Sequence, residues 1–280
     1  MIRFEETDNP DVNIVLSVDK PIYAGKTAFQ EVEVFENAVF GRVLALDGVV
    51  QTTERDEFVY HEMLVHPAMF AHGAARRVLI IGGGDGGAIE AALKHPVERV
   101  TMVEIDAQVI ELCRTHLPTV CGDAFDDTRL DLIIGDGVKY VAETEQRFDV
   151  ILVDSTEPVG PGVVLFETPF YASCQRCLAA SGILVTQNAV PFLQGDVARD
   201  ACARLKPLFV DVALYLASVP TFIGGHMVFA WASDDAGTRQ VAVETLAERH
   251  AEAAIATRYY TPEVHKAAFA LPPYIGELLA

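Results

Sequence analysis

One stretch constrains the fold of this chain more than any other: Val78-Leu79-Ile80-Ile81, followed by Gly82-Gly83-Gly84-Asp85-Gly86-Gly87. A short run of branched apolar residues reads as a strand by composition and length. The glycine-rich turn leads into Ala88-Ile89-Glu90-Ala91-Ala92-Leu93-Lys94, a good helix former. Strand, glycine turn and helix form the nucleotide-binding corner of a doubly wound α/β sheet. Gly82, Gly84 and Gly87 fit G-x-G-x-x-G, which alone is a weak signal; Asp85 sharpens it. Such a turn offers free backbone N–H groups and the positive end of a helix dipole to an anion. A carboxylate inside it repels a pyrophosphate or an amino-acid carboxylate and attracts an ammonium. The turn therefore suits a nucleoside with a cationic arm. The plainer alternative is that Asp85 only caps the next helix.

Around this corner the pattern alternates. Strands are predicted at Arg99–Glu104, Leu130–Ile134 and 148–153, with a helix at Ala107–His116 between the first two. A helix at 170–180, strands at 182–187, 208–216 and 227–231, and a final helix at 241–250 follow. Strands alternating with helices predict an α/β fold, a doubly wound, Rossmann-like, mainly parallel sheet of the methyltransferase type, over residues 56–280. Residues 1–55 read as a small N-terminal antiparallel β module with strands at 14–16, 31–35, Gly41–Leu46 and 49–51. Turns are expected at Asp19-Lys20-Pro21, Glu36-Asn37 and Asp47-Gly48, the last a strong hairpin signal. A module of that size is marginal alone, so it should dock on the sheet or pair with another subunit. Residues 54–66 read as a helix; His61 and His66, five apart, do not share a helix face, which excludes a metal pair. Tyr60 and His61 are either core-edge rings or pocket wall.

The charge balance narrows the ligand. The 280 residues carry 21 basic and 40 acidic side chains, a net charge of −19. That excludes a groove for nucleic-acid phosphates and fits either a cationic small substrate or simple solubility. No signal-peptide core, membrane-length apolar stretch or lipidation signal is visible, so a cytoplasmic protein with no membrane partner is expected. Five scattered cysteines argue against a disulfide framework, and Cys174-x-x-Cys177 sits in a helical pattern, which reads as buried or boundary thiols.

Ligands in such a sheet bind beyond the C-terminal ends of the strands. Four consecutive strands end in acids: Asp85 just past the first, then Glu104, Asp136 and Asp154. Glu104 falls where an acid takes ribose hydroxyls, and Asp136, between glycines, suits an adenine amino group. Each could instead cap a helix; together they describe a nucleoside pocket. Asp154-Ser155-Thr156-Glu157-Pro158 adds two carboxylates three residues apart. An acidic pair has a use if the substrate is an amine. With an alkylammonium pKa of about 10.4, freeing the lone pair at pH 7 costs about 4 to 5 kcal/mol, and a carboxylate that accepts the proton offsets part of that.

At these residues the chain resembles the bacterial spermidine synthases, the polyamine aminopropyltransferases, over essentially its whole length. The matching segments are FENAVFGRVLALDGVVQTTERDEFVYHEM, IGGGDGG, MVEID, GDG, DSTEPVGPG and RYYTPEVHKAAFALP. The resemblance implies transfer of the aminopropyl group of decarboxylated S-adenosylmethionine to a polyamine, putrescine in the first instance, with 5′-methylthioadenosine as second product. It implies no metal and no resident cofactor, the nucleoside being a co-substrate, and a homodimer or homotetramer. By matching positions, Gln30, Gly82, Gly84, Glu104, Asp136, Gly137 and Pro161 belong to the nucleoside site, and Asp85 holds the aminopropyl ammonium. Asp154 is the proton acceptor; Tyr60, His61, Glu157, Gln187 and Phe222 form the acceptor side. Three positions depart from the family pattern: Glu157 stands for Asp, Phe222 for the Tyr of a Pro-Thr-Tyr segment, and Glu90-Ala91 for Arg-Glu. The first two fall on the acceptor side and leave open a diamine of another length or a longer polyamine. The rivals are a methyltransferase of the same fold, an NAD-binding oxidoreductase and a non-catalytic polyamine- or nucleoside-binding homologue. The first would place a cofactor carboxylate beside Asp85, the second gives no use for Asp154 and Glu157, and the third none for a retained base. The segment 159–170 reads as either a lid or a static loop.

Overall fold

The computed structural model describes residues 2–9, 11–156, 158 and 160–279. The N-terminal part holds β1 (Ile2–Asn9), β2 (Val12–Val18), β3 (Lys20–Lys26), β4 (Glu31–Asn37), β5 (Gly41–Leu46) and β6 (Val49–Thr53). Next come α1 (Glu57–His72), β7 (Arg77–Gly82), α2 (Gly87–Leu93), β8 (Arg99–Glu104), α3 (Ala107–His116) and the short α4 (Pro118–Cys121). They are followed by β9 (Leu130–Ile134), α5 (Gly137–Glu143), β10 (Phe148–Asp154), α6 (Thr168–Cys177) and β11 (Leu178–Gln187). The chain ends with α7 (Pro191–Leu205), β12 (Asp211–Ala217), β13 (Met227–Ser233), α8 (Val243–Ala253), α9 (Pro262–Ala268) and α10 (Pro273–Gly276).

The large sheet has seven strands in the order β12-β13-β11-β10-β7-β8-β9. β11, β10, β7, β8 and β9 pair in parallel, and β13 is antiparallel to both its neighbours. The chain leaves β7 towards β8 and β9, then crosses back to β10 on β7's other side. The switch point therefore lies between β7 and β10, where Asp154 pairs with Gly82, and ligands in open α/β sheets bind at such a crevice. Alternate residues of β7 feed opposite cores, as the period of a strand requires. Val78 and Ile80 join α1 and α2, whereas Leu79 and Ile81 join the layer of α5, α6 and α7.

The small sheet, ordered β3-β4-β5-β6, is antiparallel throughout, and β1 pairs only with β2. Asp47 (φ 49) and Gly48 (φ 79) form the β5–β6 turn, as the Asp-Gly signal requires. The module docks through Val32, Val34, Leu44 and Leu46 on Val109 and Cys113 of α3, Val120 of α4 and Leu117 between them. Its partner is thus this helical layer rather than the large sheet itself. Several strands differ from the sequence reading: Glu36 and Asn37, read as a turn, end β4, and β11 begins at Leu178, inside the expected helix. β1 was not expected, and Lys20 and Pro21, read as a turn, lie in β3. β3 is an edge strand with a register shift between Pro21 and Tyr23, the setting in which a strand tolerates a proline.

The first helix also exceeds its reading: α1 continues through Pro67 to His72 and stops at Gly73 (φ 74). Proline 67 cannot donate to the Met63 carbonyl one turn back. The buried Tyr215 hydroxyl donates to that oxygen instead, at 2.8 Å. Glu62, one position beyond His61, accepts backbone N–H bonds from Arg258, Tyr259 and Tyr260 at 2.7–2.8 Å, tying the C-terminal segment to this helix. Helices α5 and α7, absent from the sequence reading, complete one layer, and α9 and α10 follow the helix expected to be last. All five cysteines are free and buried, and burial raises the thiol pKa of Cys174 and Cys177, as expected for packing thiols. Among the described residues no helix is long and apolar enough to cross a membrane.

Burial also makes acid stability predictable. His66 Nδ1 lies 2.9 Å from His95 Nε2, beside the rings of Phe70 and Tyr260. Desolvation, reinforced by His250 and Lys94, lowers His95 from 6.5 to about 4, and desolvation also lowers His66. Both rings are neutral in the fold and regain an ordinary pKa when it opens. The unfolded chain then binds more protons below pH 6.5, so this contribution is complete above pH 6.5 and lost as pH falls towards 4. The denaturant midpoint should fall across that window. His95→Gln should make the fall shallower by up to about one proton; an unchanged slope would contradict a neutral buried His95.

Candidate active site

The glycine turn is built around the end of β10. The Gly83 N–H donates to the Asp154 carbonyl at 2.9 Å, and a Cβ on Gly82 (φ 83) would stand 2.1 Å from that same oxygen. Only glycine allows the two strand ends to close this way. Gly86 (φ 85) then turns the chain into α2. Asp85 projects from the turn, with Oδ1 accepting the Gly87 N–H at 3.0 Å and Oδ2 lying 3.4 Å from His61 Nε2. The capping contact and the charged contact are therefore both present. On its other side, His61 Nδ1 is 2.9 Å from Glu57 Oε2, one turn earlier in α1. A Cβ on Gly87 would meet the His61 ring at 2.2 Å, so the turn and the imidazole are fitted to each other.

Asp154, at the end of β10, accepts a hydrogen bond from the Tyr60 hydroxyl at 2.7 Å. One polar atom from each of His61, Asp85 and Asp154 falls within 4.8 Å of the other two. Burial alone would lower the His61 pKa, but Asp85 and Glu57 outweigh it and raise it well above 6.5. Burial would raise Asp85, but His61, the Gly87 N–H and Thr52 together outweigh that and lower it. Asp154 is pushed up to about 6 by burial and by Asp85, against the opposing pull of His61 and Tyr60. With both His61 nitrogens facing carboxylates, this trio lacks the free imidazole lone pair that a metal takes. It is arranged to receive cations.

The nucleoside side lies across the crevice. Glu104, at the end of β8, is 8% exposed and accepts the Asp106 N–H at 2.8 Å through Oε1. Burial raises it to about 7, against the opposing pull of the Asp106 N–H that it accepts. Asp136 caps α5, its Oδ1 accepting from Val138 at 2.8 Å and Lys139 at 3.3 Å, so the helix-cap alternative holds for it as well. Gln30 comes from the N-terminal module, its amide donating at 3.2 Å to Asp106 Oδ2, which also accepts from Thr27. Phe222 packs edge-on against Tyr60 (centroids 6.1 Å, 90°). Asp56 holds its loop by accepting the Thr221 N–H at 2.8 Å and the Thr221 hydroxyl.

Tyr60, His61, Gly82, Gly84, Asp85, Glu104, Asp136, Gly137, Asp154, Gln187, Phe222 and Gln30 all line one cavity. Gln187 does so with its amide engaged: Nε2 donates to the Ser155 and Thr156 carbonyls, and Oε1 accepts from Ala189, which fixes the loop after β10. Pro161 lies in the 3-10 helix Gly160–Phe166, and Glu157 falls outside the described residues. Sequence reasoning missed Glu57, and also the apolar wall that Leu44, Leu46 and Val50 of the β module supply. The i,i+4 spacing of Glu57 and His61 was the available signal for the first.

An acid-lined crevice at the switch point of a Rossmann-like sheet, with a carboxylate set into the glycine turn, defines a nucleoside-handling transferase rather than a phosphate-binding dehydrogenase. The comparisons give the family. Residues 57–242 match the spermine/spermidine synthase domain and residues 2–54 the spermidine synthase tetramerisation domain. The chain is 53% identical to polyamine aminopropyltransferase 1 of Pseudomonas aeruginosa, covering 98% of this chain and 96% of that protein. It is 50% identical to the polyamine aminopropyltransferase of Shigella boydii, with 99% and 97% covered. A crystal structure of spermidine synthase in complex with the transition-state analogue AdoDATO superposes with a TM-score of 0.94 at 35% identity, over 99% of this chain and 94% of that one. The chain belongs to the spermine/spermidine synthase family and is a polyamine aminopropyltransferase.

Proposed function

We propose that the chain transfers the aminopropyl group of decarboxylated S-adenosylmethionine to putrescine, giving spermidine and 5′-methylthioadenosine. Gln30, Glu104, Asp136, Gly137 and Pro161 seat the nucleoside beside Gly82 and Gly84, and Asp85 holds the ammonium of the aminopropyl arm. Asp154 accepts a proton from the acceptor's ammonium. The freed nitrogen attacks the methylene next to the sulfonium, the carbon–sulfur bond breaks, and its electron pair stays on sulfur as a neutral thioether. Tyr60, His61, Gln187 and Phe222 surround the acceptor. Fixing amine and carbon in line contributes alongside the proton transfer. The observation that carries this reading is the joint placement of Asp85 and Asp154 at the switch point, with Tyr60 fixing the orientation of Asp154.

The short acceptor is supported by apolar side chains that the cavity shares with a neighbouring one. Val50, Phe222 and Met227 also line a second, smaller cavity of about 50 Å³. They thus lie between the two spaces, and a long polyamine running from one to the other would have to pass these three side chains. Self-association through residues 2–54 is supported by the exposed Ile2, Val12 and Val15 on the β1–β2 hairpin and by the family match of that segment.

The test is a comparison of kcat/KM for diamines of three to five carbons and for spermidine. Putrescine is expected to lead, and a preference for spermidine would overturn the choice of acceptor. Phe222→Tyr restores the hydroxyl expected from the family pattern and is predicted to lower the putrescine KM by roughly two- to tenfold, the range of one net hydrogen bond. No change would place the acceptor out of reach of residue 222.

A further inference from the structure

Resting on that reading of Asp85, we infer that His61, fixed by Glu57, is the resident cation of the seat that the donor's ammonium takes, so that the donor binds in exchange for the His61 proton. Both imidazole nitrogens face carboxylates, Nδ1 towards Glu57 at 2.9 Å and Nε2 towards Asp85 at 3.4 Å. A neutral imidazole has a single N–H, so only the imidazolium donates on both sides. The ring is 3% exposed and fitted against Gly87, which keeps it from turning away. Its charge is therefore part of this seat.

The donor brings a second cation to the same Asp85 oxygen, and a sulfonium close by. Two cations sharing one buried carboxylate oxygen repel each other, and the imidazolium can relieve this by losing its Nε2 proton to solvent. The ring then keeps its Nδ1–H on Glu57 and turns the Nε2 lone pair towards the incoming ammonium, which donates to His61 and Asp85 together. Glu57 acts as a positioning residue: it selects the tautomer that leaves Nε2 free to accept.

The charged and titratable groups facing His61 are Glu57 and Tyr60 on α1, Asp85 in the glycine turn and Asp154 on β10, with Glu104 behind Asp154. Asp154 and Glu104, at about 6 and about 7, can release protons to a cationic ligand only near or below those values. Above pH 7.5 the exchange belongs to His61.

The test is calorimetry of decarboxylated S-adenosylmethionine binding to the full chain at pH 8, in two buffers of different ionisation enthalpy. 5′-Methylthioadenosine, which lacks the ammonium arm, is the control. About one proton should be released with the charged donor and none with the control. The donor Kd should tighten by up to about tenfold per pH unit above pH 7.5 while the control stays flat. His61→Gln should abolish the release, which separates it from a proton lost by the ligand's own amine. Glu57→Gln should move the dependence to lower pH, which a merely structural role would not do. Equal proton counts for the two ligands would overturn this inference alone; failure of both to bind would overturn the reading of the site as well.

Discussion

Replacing Asp154 with asparagine is expected to reduce kcat by roughly 10²- to 10⁴-fold, the span of a positioned general base, with 5′-methylthioadenosine affinity unchanged. Asparagine has the same shape and keeps an oxygen for the Tyr60 hydroxyl, now 2.7 Å from Asp154 Oδ1. What it cannot do is take a proton from an ammonium. The residue's position explains why the loss should be selective: it ends β10 at the switch point, and its backbone carbonyl, which the substitution retains, carries the glycine turn through Gly83. The wild-type pH profile provides a second reading. Burial and Asp85 place Asp154 at about 6, so kcat/KM should fall as pH drops through that value and the carboxylate protonates. Donor binding adds positive charge beside it, so the corresponding limb in kcat should lie at lower pH. A variant with wild-type kcat would show that the amine is deprotonated elsewhere.

The second large effect is expected at Asp85. Asp85→Asn removes the buried charge that faces the donor's ammonium and leaves His61 with Glu57 as its carboxylate partner, a loss of the kind that costs about 3 to 5 kcal/mol when one partner of a buried pair is removed. The kcat/KM for decarboxylated S-adenosylmethionine should fall by about 10²- to 10⁴-fold. The affinity for 5′-methylthioadenosine, with no ammonium, should change by less than about threefold. Ordinary S-adenosylmethionine carries a carboxylate that Asp85 repels, so the variant should also discriminate less between the two donors. Comparing their Kd values in wild type and variant tests this; an unaltered ratio would place the aminopropyl arm away from the glycine turn.

Much of the large sheet was legible because its strands are covered on both faces and read as continuous apolar runs that end abruptly in Gly or an acid. The bounds of β8 coincide with the sequence reading for that reason, and those of β9 and α3 coincide as well, the last marked by its Asp106 cap. The β module was harder. β1, IRFEETDN, carries too many charges to announce a buried face, and its partner is only the half-exposed β2. β3 opens on Lys-Pro, a turn signal overridden at a sheet edge. α5 begins on Gly137, and α7 is broken at Gln194 (φ −131), so neither offers a clean helical period. In the site, the acids at strand ends were readable because topology alone brings such ends together. Side-chain commitments were not. The Gln187 amide is turned onto the Ser155 and Thr156 carbonyls, and Glu57 pairs with a histidine that the sequence offered only as ring wall. The first depends on a loop distant in the chain, whereas the second had a local i,i+4 signal that was not used.

The most direct measurement is to incubate the purified chain with decarboxylated S-adenosylmethionine, with and without putrescine, and quantify both products by mass. The account predicts 5′-methylthioadenosine and spermidine in equal amounts, and only when the amine is present. Methylthioadenosine released without an amine, or methyl transfer from ordinary S-adenosylmethionine with no aminopropylated product, would contradict it.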